Sequence, residues 1–131
     1  MILGVDPGTG KCGLALLTDR GEVTYRAVVA LADLPEAMRQ LAAENPALRV
    51  ALGSRTGSKH IRALLETAMP GVEIEIVSEH RTTEEARKLY WRYHPRRGWR
   101  RLVPEGMLVP PEPVDGYAAE ILARRLTATE V

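Results

Sequence analysis

Ile2-Leu3-Gly4-Val5-Asp6-Pro7-Gly8-Thr9-Gly10 decides the reading of the fold. Its first four residues are an apolar, β-leaning run, and the next five carry strong turn chemistry. Gly13-Leu14-Ala15-Leu16-Leu17 reads as a second strand. After Asp19-Arg20-Gly21, residues 22–31 alternate in polarity and predict a third. The three strands suit an antiparallel meander.

Beyond residue 31 the period changes. Asp33 and Glu36 have the spacing of a capping box, and Leu34, Ala37, Met38 and Leu41 follow at helical intervals. Asn45-Pro46 ends that helix. Residues 49–52 predict a short buried strand, closed by Gly53-Ser54-Arg55-Thr56-Gly57. A second helix carries Ile61, Leu64, Leu65 and Ala68, with Thr56 or Ser58 as its N-cap, and stops at Pro70-Gly71. Residues 72–77 alternate as a fifth strand. Thr82 and Glu85 have capping-box spacing for a helix to about residue 93. A Pro- and Arg-rich loop runs to about residue 111, and a last helix starts near Pro113. The order β-β-β-α-β-α-β-α-loop-α predicts an α/β fold: a mixed five-stranded sheet with helices on both faces, in one domain spanning 1–131.

Composition excludes several classes. With 131 residues, 45% hydrophobic and 27% charged, the chain is long enough for a real core and is neither fibrous nor disordered. No apolar run approaches the ~18 residues of a membrane span, so no membrane association is expected. The N-terminus reads as a strand rather than a secretion signal. Its single Cys excludes an internal disulfide and fits a reducing, cytoplasmic setting. Thiolate metal sites are excluded too, and His60, His80 and His94 have no ligand spacing. Any metal must therefore rest on carboxylates.

Asp6 and Glu79 fall at predicted strand ends and Asp115 in the first turn of the last helix. Each has an ordinary explanation: Asp-Pro-Gly is turn chemistry, and acids suit helix N-termini. Together, at the carboxyl ends of parallel strands where ligands collect, they suit Mg²⁺ or Mn²⁺. Two such ions about 3.5–4 Å apart activate a water and stabilise the leaving oxygen of a phosphodiester. No serine, cysteine or histidine triad competes with that chemistry.

These segments carry a resemblance. The opening hairpin, residues 2–10 followed by Gly13-Leu14-Ala15-Leu16, resembles that of RuvC-like and YqgF-like nucleases. Glu79-His80-Arg81-Thr82-Thr83-Glu84-Glu85-Ala86 and Asp115-Gly116-Tyr117-Ala118-Ala119-Glu120-Ile121-Leu122 are similar to two further YqgF-like motifs. The resemblance implies a ribonuclease H-like fold and a Holliday-junction-resolvase-like or ribosomal-RNA-processing nuclease. Its active-site acids and metal ligands would be Asp6, Glu79 and Asp115, holding Mg²⁺ or Mn²⁺ as two ions. It implies 3′-hydroxyl and 5′-phosphate products, and a substrate of precursor ribosomal RNA or branched DNA, acted on by a monomer or homodimer. Ser78 departs from the Asp usual in YqgF-like chains. Ala118 stands where RuvC-like chains carry a fourth acid, leaving Glu112 or substrate to supply it.

Two other readings fall away. A P-loop ending at Lys11 would need Gly at Val5 and a hydroxyl at Cys12. The Asp-x-Gly-Thr hairpin also resembles the phosphate loop of actin-like and sugar-kinase ATPases, which need a second domain that 131 residues do not supply.

The net charge of +1 hides an uneven distribution. Residues 86–104 hold seven cations, no acid, and four of the six aromatics. Part of this is a solvated helix face with Tyr90 and Trp91 in the core. Arg96, Arg97, Arg100 and Arg101, in a Pro-rich loop without acidic partners, suit a nucleic-acid backbone, and Trp99 suits an unstacked base. Arg55 and Lys59 flank a polar, Gly-rich loop that serves equally as a helix N-terminus or a phosphate contact. The expected partner is nucleic acid, as RNA or as branched or single-stranded DNA. A non-catalytic nucleic-acid-binding module of the same fold is the alternative.

Overall fold

A computed structural model describes residues 1–55, 57–95, 98, 102, 110 and 114–129. Strands β1 (Ile2–Pro7), β2 (Lys11–Leu17) and β3 (Val23–Ala30) form the meander. Helix α1 (Leu34–Glu44), strand β4 (Arg49–Gly53), helix α2 (Ser58–Ala68), strand β5 (Glu73–Val77) and helices α3 (Thr82–Tyr93) and α4 (Asp115–Thr129) follow. The sheet order is β3-β2-β1-β4-β5, with β1–β2 and β2–β3 antiparallel and β1–β4 and β4–β5 parallel. This is the mixed five-stranded α/β sheet that the residue periods predict.

Strand β1 is buried along its whole length because both faces of the sheet are covered. Alternate residues therefore serve two layers. Leu3, Val5, Leu14, Leu16, Val50 and Leu52 meet Met38, Leu41, Ile61 and Leu65 of α1 and α2 in one core cluster. Ile2, Ala15, Leu17 and Ala51 meet Ala119, Ala123 and Leu126 of α4 on the other face. Helix α3 lies against α4 through Ala86, Tyr90, Trp91, Tyr117, Ala118 and Ile121.

The α4 layer is built from small residues, and the approach is close. A Cβ at Gly4 would lie 1.8 Å from the Ala119 carbonyl oxygen. One at Gly13 would lie 2.0 Å from the Asp115 carbonyl oxygen. Neither strand position tolerates a side chain while α4 stays where it is.

The expected caps differ from those observed. Asp33 makes no side-chain cap and is helical itself, because a 3-10 turn, Leu31–Asp33, leads into α1 with Pro35 in its first turn. Gly57, at φ +96°, is the residue before α2, so Ser58 is its first residue rather than its cap. Thr56 lies outside the described residues. Arg81, at φ +60°, precedes α3, and Thr82 turns its hydroxyl back to the Glu79 carbonyl at 2.9 Å.

Gly4→Ala should lose about 3 kcal/mol of stability through backbone overpacking, read by urea denaturation. Gly10→Ala is the comparison: a Cβ there meets nothing within 4 Å, so its stability should stay within about 0.5 kcal/mol of the parent. Equal losses at the two positions would mean that α4 does not depend on contact with β1.

Candidate active site

Three element ends meet on the α4 side of the sheet. Asp6 sits near the end of β1, on the same face as Gly4, and is only 4% exposed. Across the ladder it pairs with Gly13, the residue against which the Asp115 backbone rests. Asp115 begins α4, with its side chain 33% exposed. Glu79 lies two residues beyond β5, and its side chain is 8% exposed. Its carboxyl occupies the room left by Gly53, where a Cβ would fall 2.5 Å from Glu79 Cδ.

Asp6 Oδ1 and Glu79 Oε1 are both buried with no hydrogen-bond partner among the described residues. Burial, then the neighbouring Glu79 carboxyl and its negative charge, push the Asp6 pKa from 3.8 to about 8. The Asp115 charge pushes the same way, and Arg55 opposes it. Asp115 is therefore close enough to be felt, but its Oδ2 pairs with Lys11 Nζ at 3.6 Å. Among the described residues, no group of three His, Cys, Asp or Glu side chains forms a ready metal cage. The structure thus gathers Asp6 and Glu79 tightly and Asp115 more loosely.

Arg55 is the surprise of the site. The backbone N–H of Arg55 donates to Glu79 Oε2 at 2.5 Å. Its guanidinium approaches Glu79 Oε1 at 3.5 Å and Asp6 Oδ1 at 3.9 Å. The loop holding Glu79 is pinned from α4: Arg125 donates to the carbonyls of Ser78 and His80 at 2.7 and 2.6 Å and to Glu85 at 3.1 Å. Sequence reading passes over Arg125 because its partners lie 40 to 47 residues away. Lys11, weighed only as a P-loop lysine, turns out to be the partner of Asp115.

A second charged group steadies α4. Glu120 is fully buried, with Arg26 of β3 bonded to Oε1 at 2.5 Å and Arg124 to Oε2 at 3.2 Å. The Arg26 guanidinium lies over the Tyr117 and Tyr93 rings at 4.4 and 4.7 Å. Its stem crosses Gly116, where a Cβ would come 2.7 Å from Arg26 Cγ.

Of the expected nucleic-acid contacts, Lys59 is exposed in the first turn of α2. Arg96, Arg97, Trp99, Arg100 and Arg101 lie outside the described residues, as does Glu112. Cys12 is fully buried, as expected of a small apolar residue, and His60, His80 and His94 are exposed.

Fold and site together define a small α/β domain: a five-stranded mixed sheet with a buried carboxylate pair at the carboxyl ends of its parallel strands. No protein-family model and no curated protein matches the chain. Among solved structures it is similar to a "putative sugar kinase" from Cytophaga hutchinsonii, at 19% identity and a TM-score of 0.42. That match covers 71% of this chain and 39% of the kinase chain, so the chain spans well under half of it.

The raised Asp6 pKa has a signed consequence. The folded protein holds the Asp6 proton more tightly than the unfolded chain, so this group's stabilisation is complete below pH 3.8 and is lost as pH rises through about 8. In buffer with EDTA, Asp6→Asn should match the parent in Tm near pH 4 and exceed it increasingly toward pH 8. Each kcal/mol is worth about 4 °C in a domain of this size. A Tm difference that does not change with pH would show that Asp6 is not the group holding the proton.

Proposed function

We propose that this chain is a divalent-metal-dependent nuclease of ribonuclease H-like type, related to RuvC-like and YqgF-like proteins. One observation carries the reading. Asp6 and Glu79 bury two carboxylate oxygens that receive no hydrogen bond among the described residues and that Arg55 meets only at ion-pair distances of 3.9 and 3.5 Å, at the strand ends where α/β folds bind ligands. Buried carboxylate oxygens without hydrogen bonds are costly, and a hard cation with oxygen ligands is a partner that suits them. The motifs around Asp6, Glu79 and Asp115 name the same residues.

Asp6 and Glu79 would hold Mg²⁺ or Mn²⁺, with Asp115 joining from the start of α4. The bound cation would polarise the phosphodiester and favour the ionised form of an attacking water. Hydrolysis forms a bond from the water oxygen to phosphorus and breaks the bond to O3′, leaving a 3′-hydroxyl and a 5′-phosphate. Asp6 must release its proton to bind the cation. Glu79 is held in place by the Arg55 N–H and by the Arg125 clamp on residues 78 and 80. Arg96, Arg97, Arg100 and Arg101 would grip phosphates, and Trp99 would stack on an unpaired base. The substrate class is structured nucleic acid, precursor ribosomal RNA or branched DNA.

The second reading is a nucleic-acid-binding module of the same fold without catalysis. It draws on Lys11 and Arg55, which already neutralise part of the acid cluster. Labelled single strands, duplexes and four-way junctions incubated with Mn²⁺ or with EDTA decide between the two. Metal-dependent cleavage supports the nuclease, and binding without cleavage under either condition supports the module.

Asp6→Asn should lower cleavage by at least about 10³-fold while nucleic-acid affinity is kept, as expected for loss of a cation ligand. Undiminished cleavage by that variant would remove Asp6 from the site. Changing Arg96, Arg97, Arg100 and Arg101 together to Gln should weaken binding to all sequences alike. The slope of log affinity against log salt should shrink by about 0.7–0.9 per lost phosphate contact. An unchanged slope would assign these arginines to another role.

A further inference from the structure

The acid cluster brings cations of its own, and they bear on how many metal ions it takes. Arg55 aims its guanidinium at Asp6 Oδ1 and Glu79 Oε1, the two buried oxygens that lack hydrogen bonds. At 3.9 and 3.5 Å these are ion-pair contacts that leave both oxygens free to bind a ligand. The backbone bond from Arg55 to Glu79 fixes the residue's main chain beside the pair. On the other side Lys11 lies 3.6 Å from Asp115.

Charge balance then limits the ions. Once Asp6 has released its proton, as cation binding requires, Asp6, Glu79 and Asp115 supply three negative charges, and Arg55 and Lys11 return two, leaving a net charge of minus one. One divalent cation turns this to plus one, which a single phosphodiester neutralises. Two cations would leave plus three, a strongly repulsive site at close range even with effective screening. Three carboxylates without the two basic residues would suit two ions equally well. The guanidinium of Arg55 is therefore equivalent in place and sign to one of them, and its planar fork suits a phosphate oxygen.

We propose that the site takes one divalent cation rather than the two expected from the resemblance, with the Arg55 guanidinium serving as the second positive centre. This rests on the nuclease reading for its metal, and the test separates the two. Mn²⁺ titrated into the full chain, followed by calorimetry and by the loss of free-ion electron paramagnetic resonance signal, should give one ion per chain. Arg55→Met should admit a second ion and tighten the first by about tenfold, the direction expected on removing a positive charge at this range. Arg55→Lys should stay at one. A metal-free melting curve confirms that each variant is folded, and Arg55→Gln replaces Arg55→Met should that protein not fold. Two ions on the parent chain, none on it, or a single ion unchanged in affinity on the charge-neutral variant would each overturn the proposal. One ion on the parent and two on the variant, with no cleavage of any nucleic acid, would uphold the single-ion site and sink the nuclease reading.

Discussion

Everything at the site depends on how closely α4 lies on the middle of the sheet. Gly4 and Gly13 let its backbone rest directly on β1 and β2, with Ala15, Ala51, Ala119 and Ala123 in the same layer. Larger residues there would lift the helix and carry Asp115 away from Asp6. The small residues of this face therefore do more than fill space; they set the distance between two carboxylates. On the opposite face large side chains, Leu3, Leu14, Leu52, Met38 and Leu65 among them, form the largest of the apolar clusters. One face gives stability and the other gives geometry.

Holding acids in such a place has costs that the surrounding residues offset. Arg81 adopts a left-handed backbone, an uncommon state for a residue with a Cβ, so that the chain can turn from β5 through Glu79 into α3. Arg125 satisfies the carbonyls of that turn, and Gly53 gives the Glu79 carboxyl its space. Glu120, fully buried on α4, is neutralised by Arg26 and Arg124. A buried carboxylate with two arginines fixes the relative placement of β3 and α4 more than it adds net stability.

The order of elements was legible because each signal for it is local. A continuous apolar run marks β1, the switch from a period of two to one of 3.6 marks α1, and Pro or Gly marks most ends. Asp6, Glu79 and Asp115 were legible as strand-end and helix-start acids. The helix caps were not, because backbone geometry overrode the side-chain pattern: Thr82 has cap spacing, yet its hydroxyl serves Glu79 instead. Nor were the partners of Arg55. Its polar, glycine-rich loop reads equally as a helix entry or a phosphate contact, and nothing local to it points to Glu79 and Asp6, its nearest charges, on two other elements. The Arg26–Glu120 pair spans 94 residues, and no spacing rule reaches that far.

The burial of Cys12 shapes the chemistry open to this chain outside any catalysis. The thiol lies on the α1–α2 face of β2, fully covered, and burial together with the charges of Asp6 and Asp115 disfavours its thiolate. Oxidants and alkylating agents act on the thiolate, so the folded chain presents them with almost no reactive form. Modification must wait for the sheet to open at β2, and its rate then reports how often the strand beside Asp6 breathes. The lone thiol is a built-in clock for the integrity of the site.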